Sequence, residues 1–157
     1  MSIPSQEGVS GVTTLESGEP LTAYVQGNVG SSSGTGAYFS LRPDATGEPV
    51  GLPSSERTTL QYFNTAAFAL PPTGELGDAG RDTIPGPPTY NFNVSLDRLF
   101  TFSRERGISG DFRVAANNVF NTPNFTGLST VLNSATFGRV TGAGTMRTLT
   151  ASFRLRF

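Results

Sequence analysis

From residue 90 onward the chain alternates between apolar and polar positions. Tyr90, Phe92, Val94, Leu96, Arg98, Phe100 and Phe102 hold one parity; Asn91, Asn93, Ser95, Asp97, Leu99 and Thr101 hold the other. That is a period of two with one exception on each face, Arg98 and Leu99. Successive strand residues point to opposite faces, so the pattern predicts a half-buried β-strand over 90–102. Residues 109–120 alternate less cleanly, with Phe112, Val114, Ala116 and Phe120 against Asp111, Arg113 and Asn117. The cleanest stretch is 147–157, where Leu149, Ala151, Phe153, Leu155 and Phe157 face Thr148, Thr150, Ser152, Arg154 and Arg156. A fourth strand over 8–17, around Val9 to Leu15, is predicted without a clean face.

Between these strands the punctuation changes. Nine of the eleven prolines fall between residues 20 and 88. Proline cannot donate to a ladder and is excluded from helix interiors, so 18–89 reads as a long irregular loop that proteases cut first. Residues 121–146, rich in Asn, Thr and Gly, read as a second loop, whereas Ser103 to Ile108 is short and charged like a hairpin turn. No helical period and no internal repeat is visible. The fold class is therefore all-β, an antiparallel meander of about four strands.

Strand length narrows the architecture. Strands of about 10 residues exceed the usual 5–6 and approach what a tilted strand needs to cross a bilayer. Aromatic residues sit near strand ends, at Tyr90, Phe92, Phe100, Phe102, Phe120 and Phe157, as in the two girdles of an outer-membrane barrel. Connections alternate long, short, long, the pattern of long outer loops and short periplasmic turns. A soluble β-sandwich module for adhesion or carbohydrate binding also alternates, and at this level it stays open.

Composition removes most chemistry. The 157 residues contain no His, Cys or Trp, and all 11 basic residues are Arg. Without His or Cys there is no Ser-His-Asp relay, thiol nucleophile or Cys/His zinc site; without Lys there is no Schiff base or P-loop. An enzyme is not expected, and no cofactor is. The formal net charge of −1 argues against nucleic acid as a partner. Only 15% of residues are charged, low for a globular chain, and no apolar run is long enough for a transmembrane helix. The first residues, MSIPSQEGVSGV, lack the basic and apolar regions of a signal peptide.

Several residue groups remain to be weighed. Asp78 and Asp82, set among glycines, offer oxygen ligands for Ca²⁺, but the rest of a loop site is missing and a solvated loop is the simpler account. Asp97 and Asp111 form either an acid/base pair or polar filling of a barrel lumen. Arg113, Arg154 and Arg156 are the candidate lumen patch for an anion, against the same bland alternative. Tyr62, Phe63 and Phe68 suit ligand stacking and loop packing equally well.

Longer stretches carry a resemblance. GVSGVTTLESGEPLTAYV from Gly8, ERTTLQYFNTAAFALPPTGELGDAGRDTIPGP from Glu56 and YNFNVSLDRLFTF from Tyr90 are followed by FRVAANNVFNTPNF from Phe112 and ATFGRVTGAGTMRTLTASFRLRF from Ala135. In this order they resemble the C-terminal end of TonB-dependent receptors of the Oar-like, carboxypeptidase-regulatory-like class of acidobacteria. Tyr62 stands where that family usually has Trp, and Asp97 where it has an apolar or aromatic residue. The resemblance implies a piece of an outer-membrane receptor of a Gram-negative bacterium, unable to close a barrel or transport alone. Its implied partners are outer-membrane lipid, the remaining barrel strands and plug, the barrel-assembly machinery, and TonB through regions absent here. It further implies that the last strand ends in the periplasm, with 18–89 and 121–146 outside. Leu149, Ala151, Phe153, Leu155 and Phe157 resemble the C-terminal assembly signal of outer-membrane proteins.

Overall fold

A computed structural model describes residues 6–26, 41–72, 75–103 and 105–157. Its strands, in chain order, are β1 (Gln6–Glu16), β2 (Pro20–Leu21), β3 (Asp44–Ala45), β4 (Phe68–Ala69), β5 (Ile84–Pro85), β6 (Thr89–Ser103), β7 (Ile108–Asn117), β8 (Phe125–Leu128), β9 (Val140–Ala143) and β10 (Thr148–Arg156). Among the described residues there is no α-helix, only a 3₁₀ turn at Thr65–Ala67. The chain is all-β and divides into two compact units. One comprises Met1–Glu16, Thr89–Asn124 and Gly144–Phe157; the other comprises Ser17–Pro88 and Phe125–Ala143.

The first unit is one antiparallel sheet in the order β1-β6-β7-β10, a meander of the four long strands. Register aligns the alternations. Leu15 lies opposite Tyr90 and Val9 opposite Leu96; Leu96 pairs with Val114, and Val114 with Ala151. Phe112 pairs with Phe153. One face therefore collects the apolar side chains of all four strands, including β1, whose own sequence showed no clean face. The other collects Ser10, Asn93, Ser95, Asp97, Asp111, Arg113, Ser152 and Arg154. The register shifts between Thr101 and Ser103, beside the turn that leads into β7 through Gly107 at φ +68°. That turn lies at one end of the sheet, and both long connections leave from the other.

Strand β7 stops three residues before the alternation does, because Asn118 turns left-handed at φ +50°. Asn tolerates that region better than most residues, and here its side chain is occupied as well. The buried Asn118 amide donates to the carbonyls of Thr122 (2.9 Å) and Thr145 (3.3 Å), and its Oδ1 accepts the Thr122 N–H at 2.9 Å. Its own N–H donates to Asn93 Oδ1 on β6. Three residues on, Asn121 Oδ1 accepts the Arg147 N–H just before β10. After three more, Asn124 copies a strand partner, accepting the Tyr90 N–H and donating to the Tyr90 carbonyl at 2.8 and 3.0 Å. The Asn-rich stretch thus ties β6, β7 and β10 together where the ladder ends. Asn118→Ala should destabilise the chain in detergent micelles by about 2–4 kcal/mol, from orphaned backbone groups and the lost left-handed preference. Asn118→Gly should recover roughly 1 kcal/mol of that. Urea unfolding followed by circular dichroism reads both values.

In the second unit the two long connections meet. Residues of both connections build one core of Ala23, Phe63, Ala67, Phe68, Ala79 and Ile84, with Leu128, Leu132 and Phe137 from the later connection packed against it. Phe63, Phe68 and Phe137 meet edge to face, with centroids 5.2–6.1 Å apart. Backbone bonds cross between the connections: Tyr24 N–H to the Thr130 carbonyl, Tyr62 N–H to Gly138, and Val140 N–H to Thr59, at 2.8–3.1 Å. The prolines prevent long strands but not compaction, since polar backbone groups here pair in short two-stranded ladders and single bonds, both within and across the two connections.

Candidate functional site

The two units bury opposite kinds of residue. Every fully buried hydrophobic side chain among the described residues lies in the second unit. In the sheet unit the buried side chains are Ser95 and Asn118, both polar, while Val9, Leu15, Val94, Leu96, Phe112, Leu149, Phe153 and Leu155 are exposed. A sheet eleven residues or so long, apolar outside and polar where it is shielded, is inverted relative to a water-soluble domain. Contiguous exposed apolar surface of this extent marks a partner or a membrane. A β-sandwich would bury this face against a second sheet's inner face, so the exposed face speaks against that alternative.

Two features interrupt the apolar face. Arg98, the exception in its strand, is not alone: its Nε lies 3.2 Å from Glu7 Oε1 on β1, and its guanidinium stands 4.9 Å over the Phe100 ring. Both charges sit near the turn end of the sheet, where a charged residue costs about 0–1 kcal/mol against about 2–4 at mid-membrane. The other feature is Gly110. A side chain there would meet Phe102 Cε2 at 2.8 Å and the Phe153 ring at 3.2 Å, so two aromatic rings lean over the bare backbone.

On the polar face the structure brings together the charged residues weighed from sequence. Arg113 Nε lies 3.3 Å from Asp97 Oδ1, and Arg154 stands in register opposite Asp111. Arg113, Arg154 and Arg156 share the face, but Asp97 and Asp111 interleave with them, so the patch is a mixed lattice rather than a purely positive one. Ser10 and Ser95 hydroxyls bond across β1 and β6 at 2.8 Å.

The row that resembles an assembly signal is placed on one face. Leu149, Ala151, Phe153 and Leu155 lie on the apolar face of β10, and Phe157 follows the strand, 97% exposed. Asp78 and Asp82 serve as loop scaffolding: Asp78 Oδ1 accepts the Ala45 N–H at 2.8 Å, and Asp82 Oδ1 accepts the Thr22 hydroxyl at 3.0 Å. No group of three His, Cys, Asp or Glu that could hold a metal occurs among the described residues. Tyr62, Phe63 and Phe68 are buried, which removes them as stacking surfaces for a ligand. The three asparagines Asn118, Asn121 and Asn124 escaped the sequence reading; their spacing of three was the available signal.

Alternating strands in register, one apolar exposed face, and short and long connections at opposite ends define a wall of a transmembrane β-barrel. The family comparison agrees. Residues 8–150 match the outer membrane beta barrel domain, and the chain belongs to that family. No curated protein matches the chain. No solved structure matches it either. Four strands with free edges at β1 and β10 do not close a barrel, which takes at least about 8 strands.

Proposed function

We propose that the chain forms the C-terminal wall and outer loops of a TonB-dependent receptor of the Oar-like class, taking up a solute across the outer membrane of a Gram-negative bacterium. The inverted burial of the sheet unit carries the membrane part of this reading. The ordered resemblance from Gly8 to Phe157 supports the receptor class. In it, lipid meets the apolar face and the Asp97–Arg113 face lines the lumen. The parent's remaining strands extend the edges of β1 and β10. Strand β10 descends to the periplasm, where the assembly machinery reads its apolar row. The Glu105–Gly107 turn is periplasmic, the second unit is extracellular, and TonB engages a plug outside this chain. Neither catalysis nor a cofactor enters.

The test is made on the parent polypeptide in cells. It should fractionate with the outer membrane, resist carbonate extraction, and support uptake that disappears when TonB is deleted. Release by carbonate would sink the membrane reading and restore a soluble module. Carbonate resistance with TonB-independent passage would leave a barrel of another class.

A further inference from the structure

The second unit holds a cleft of about 560 Å³, within the roughly 300–1,000 Å³ typical of small-molecule sites. Its lining is uneven in charge. Arg42 and Arg81 both reach it, and Asp82 is the one carboxylate among the residues that line it. That carboxylate is already engaged. Its Oδ1 accepts the Thr22 hydroxyl at 3.0 Å, and Thr22 Oγ1 accepts the Asp82 N–H at 2.9 Å. The reciprocal pair holds Asp82 at φ +56°, a conformation that Asp tolerates at some cost.

The guanidinium groups are differently placed. The ion pairs among the described residues are Arg98–Glu7 and Arg113–Asp97, so neither Arg42 nor Arg81 has a carboxylate partner there. Among the described residues Arg42 is held by one side-chain bond, Nη1 donating to the Ala79 carbonyl at 3.1 Å. That contact depends on Gly77, where a Cβ would lie 2.1 Å from the Arg42 carbonyl oxygen, and on the Ala79 N–H donating to Pro43. Bare backbone at Gly77 lets segment 77–79 lie directly against 42–43 and positions the guanidinium, whose other N–H groups have no partner among the described residues. A positioned fork of donors is what carboxylate recognition uses. Tyr24, Leu41 and Leu76 supply the rest of the wall, an aromatic ring and two aliphatic chains.

We infer that this cleft binds a small organic monoanion, its carboxylate against Arg42 and Arg81 and its ring or aliphatic body against Tyr24, Leu41 and Leu76. Two guanidinium charges less one carboxylate leave a single positive charge, matched to a monoanion. An inorganic polyanion has no apolar body for the leucines and carries more charge than the lining offsets. As an uptake substrate this ligand rests on the receptor reading; as a bound ligand it does not.

The experiment is titration calorimetry on the full chain in detergent micelles, with benzoate as probe, benzamide as its neutral isostere and sulfate as the bodiless anion. Benzoate should saturate, and benzamide and sulfate should each bind about tenfold more weakly or worse. Arg42→Gln and Arg81→Gln should each weaken benzoate by about tenfold or more. Arg139→Gln, exposed in the same unit but outside the cleft, should stay within about twofold. Arg81 is exposed and makes no side-chain hydrogen bond among the described residues, so its variant reads the site even if Arg42→Gln perturbs the fold. Failure of benzoate to saturate, benzamide or sulfate binding as well as benzoate, or unchanged binding in the Arg81 variant would overturn the inference. Carbonate-resistant parent without benzoate binding would remove the cleft and keep the receptor. Binding by a carbonate-extractable parent would do the reverse.

Discussion

Phe153→Asp in the parent protein should cut assembled barrel in the outer membrane by roughly 100-fold, read as folded, heat-modifiable band in gels of membrane fractions. Phe153 sits in the middle of β10 on the apolar face, opposite Phe112, with its ring lying over Gly110. The substitution withdraws an aromatic side chain from an apolar surrounding, about 1.5–3 kcal/mol, and puts a carboxylate where hydrocarbon is expected, at a further cost of the order of 1 kcal/mol or more. Ser152→Asp provides the control. It lies on the opposite face, in register with Arg113, so an added carboxylate meets a guanidinium and should change assembly by no more than about twofold. Deleting Phe157 separates packing from recognition. At 97% exposure the ring has almost no contacts to lose, so a large assembly defect on its removal reports reading of the strand by the assembly machinery. Equal assembly of all three variants would show that the β10 apolar row faces neither lipid nor that machinery.

The second large effect concerns the proline-rich unit. Phe63→Ala should cost about 3–5 kcal/mol of that unit's stability and make it cleavable by protease under conditions where the unaltered chain resists. Phe63 is fully buried and touches the other two rings of the aromatic trio, so its removal opens a cavity that Phe68 and Phe137 cannot both fill. Limited proteolysis of the full chain in micelles checks this, with cut sites mapped by mass. New sites should appear between 41 and 88 and between 125 and 143, while β6 and β7 remain intact. Equal protease resistance in the two proteins would mean that the aromatic trio does not hold the unit together. Easy cleavage of the unaltered chain would return the unit to the loose loop that its prolines suggest.

The two units differed in how far the sequence revealed them, and the reason is physical. A strand repeats its environment every second residue, so β6 and β10 announce both their span and their faces. Strand β1 announced only its span, because Gly11 and Thr13 interrupt its apolar parity; the faces emerge from register with β6, which sets Val9 beside Leu96 and Leu15 beside Tyr90. Val12 and Leu99 remain apolar residues on the polar face, and nothing in the structure explains them. The core of the second unit has no period at all. Phe63 meets Phe137 across more than seventy residues of chain, and Tyr24 bonds Thr130 across more than a hundred. Such contacts leave no local trace, which is why Tyr62, Phe63 and Phe68 looked as suited to a ligand as to a core. The cleft lined by Arg42 and Arg81 was hidden likewise, because a glycine at 77 reads as a loop residue until its backbone is seen against Arg42.

That second unit is assembled from two stretches, Ser17–Pro88 and Phe125–Ala143, with the whole β6–β7 hairpin lying between them in the chain. The arrangement makes the cost of forming that unit depend on the hairpin. A chain delivered from its N-terminus presents the first stretch early, with Phe63 and Phe68 lacking Phe137, Leu128 and Leu132. Closing contacts over so many residues is slow because the loop entropy must be met before any contact rewards it. Once β6 and β7 have paired, the ends of the intervening segment are brought together and that entropy is largely gone. Pairing of β6 with β7 therefore lowers the entropic cost of joining the two halves of the second unit, a dependence that the unit's own contacts do not reveal.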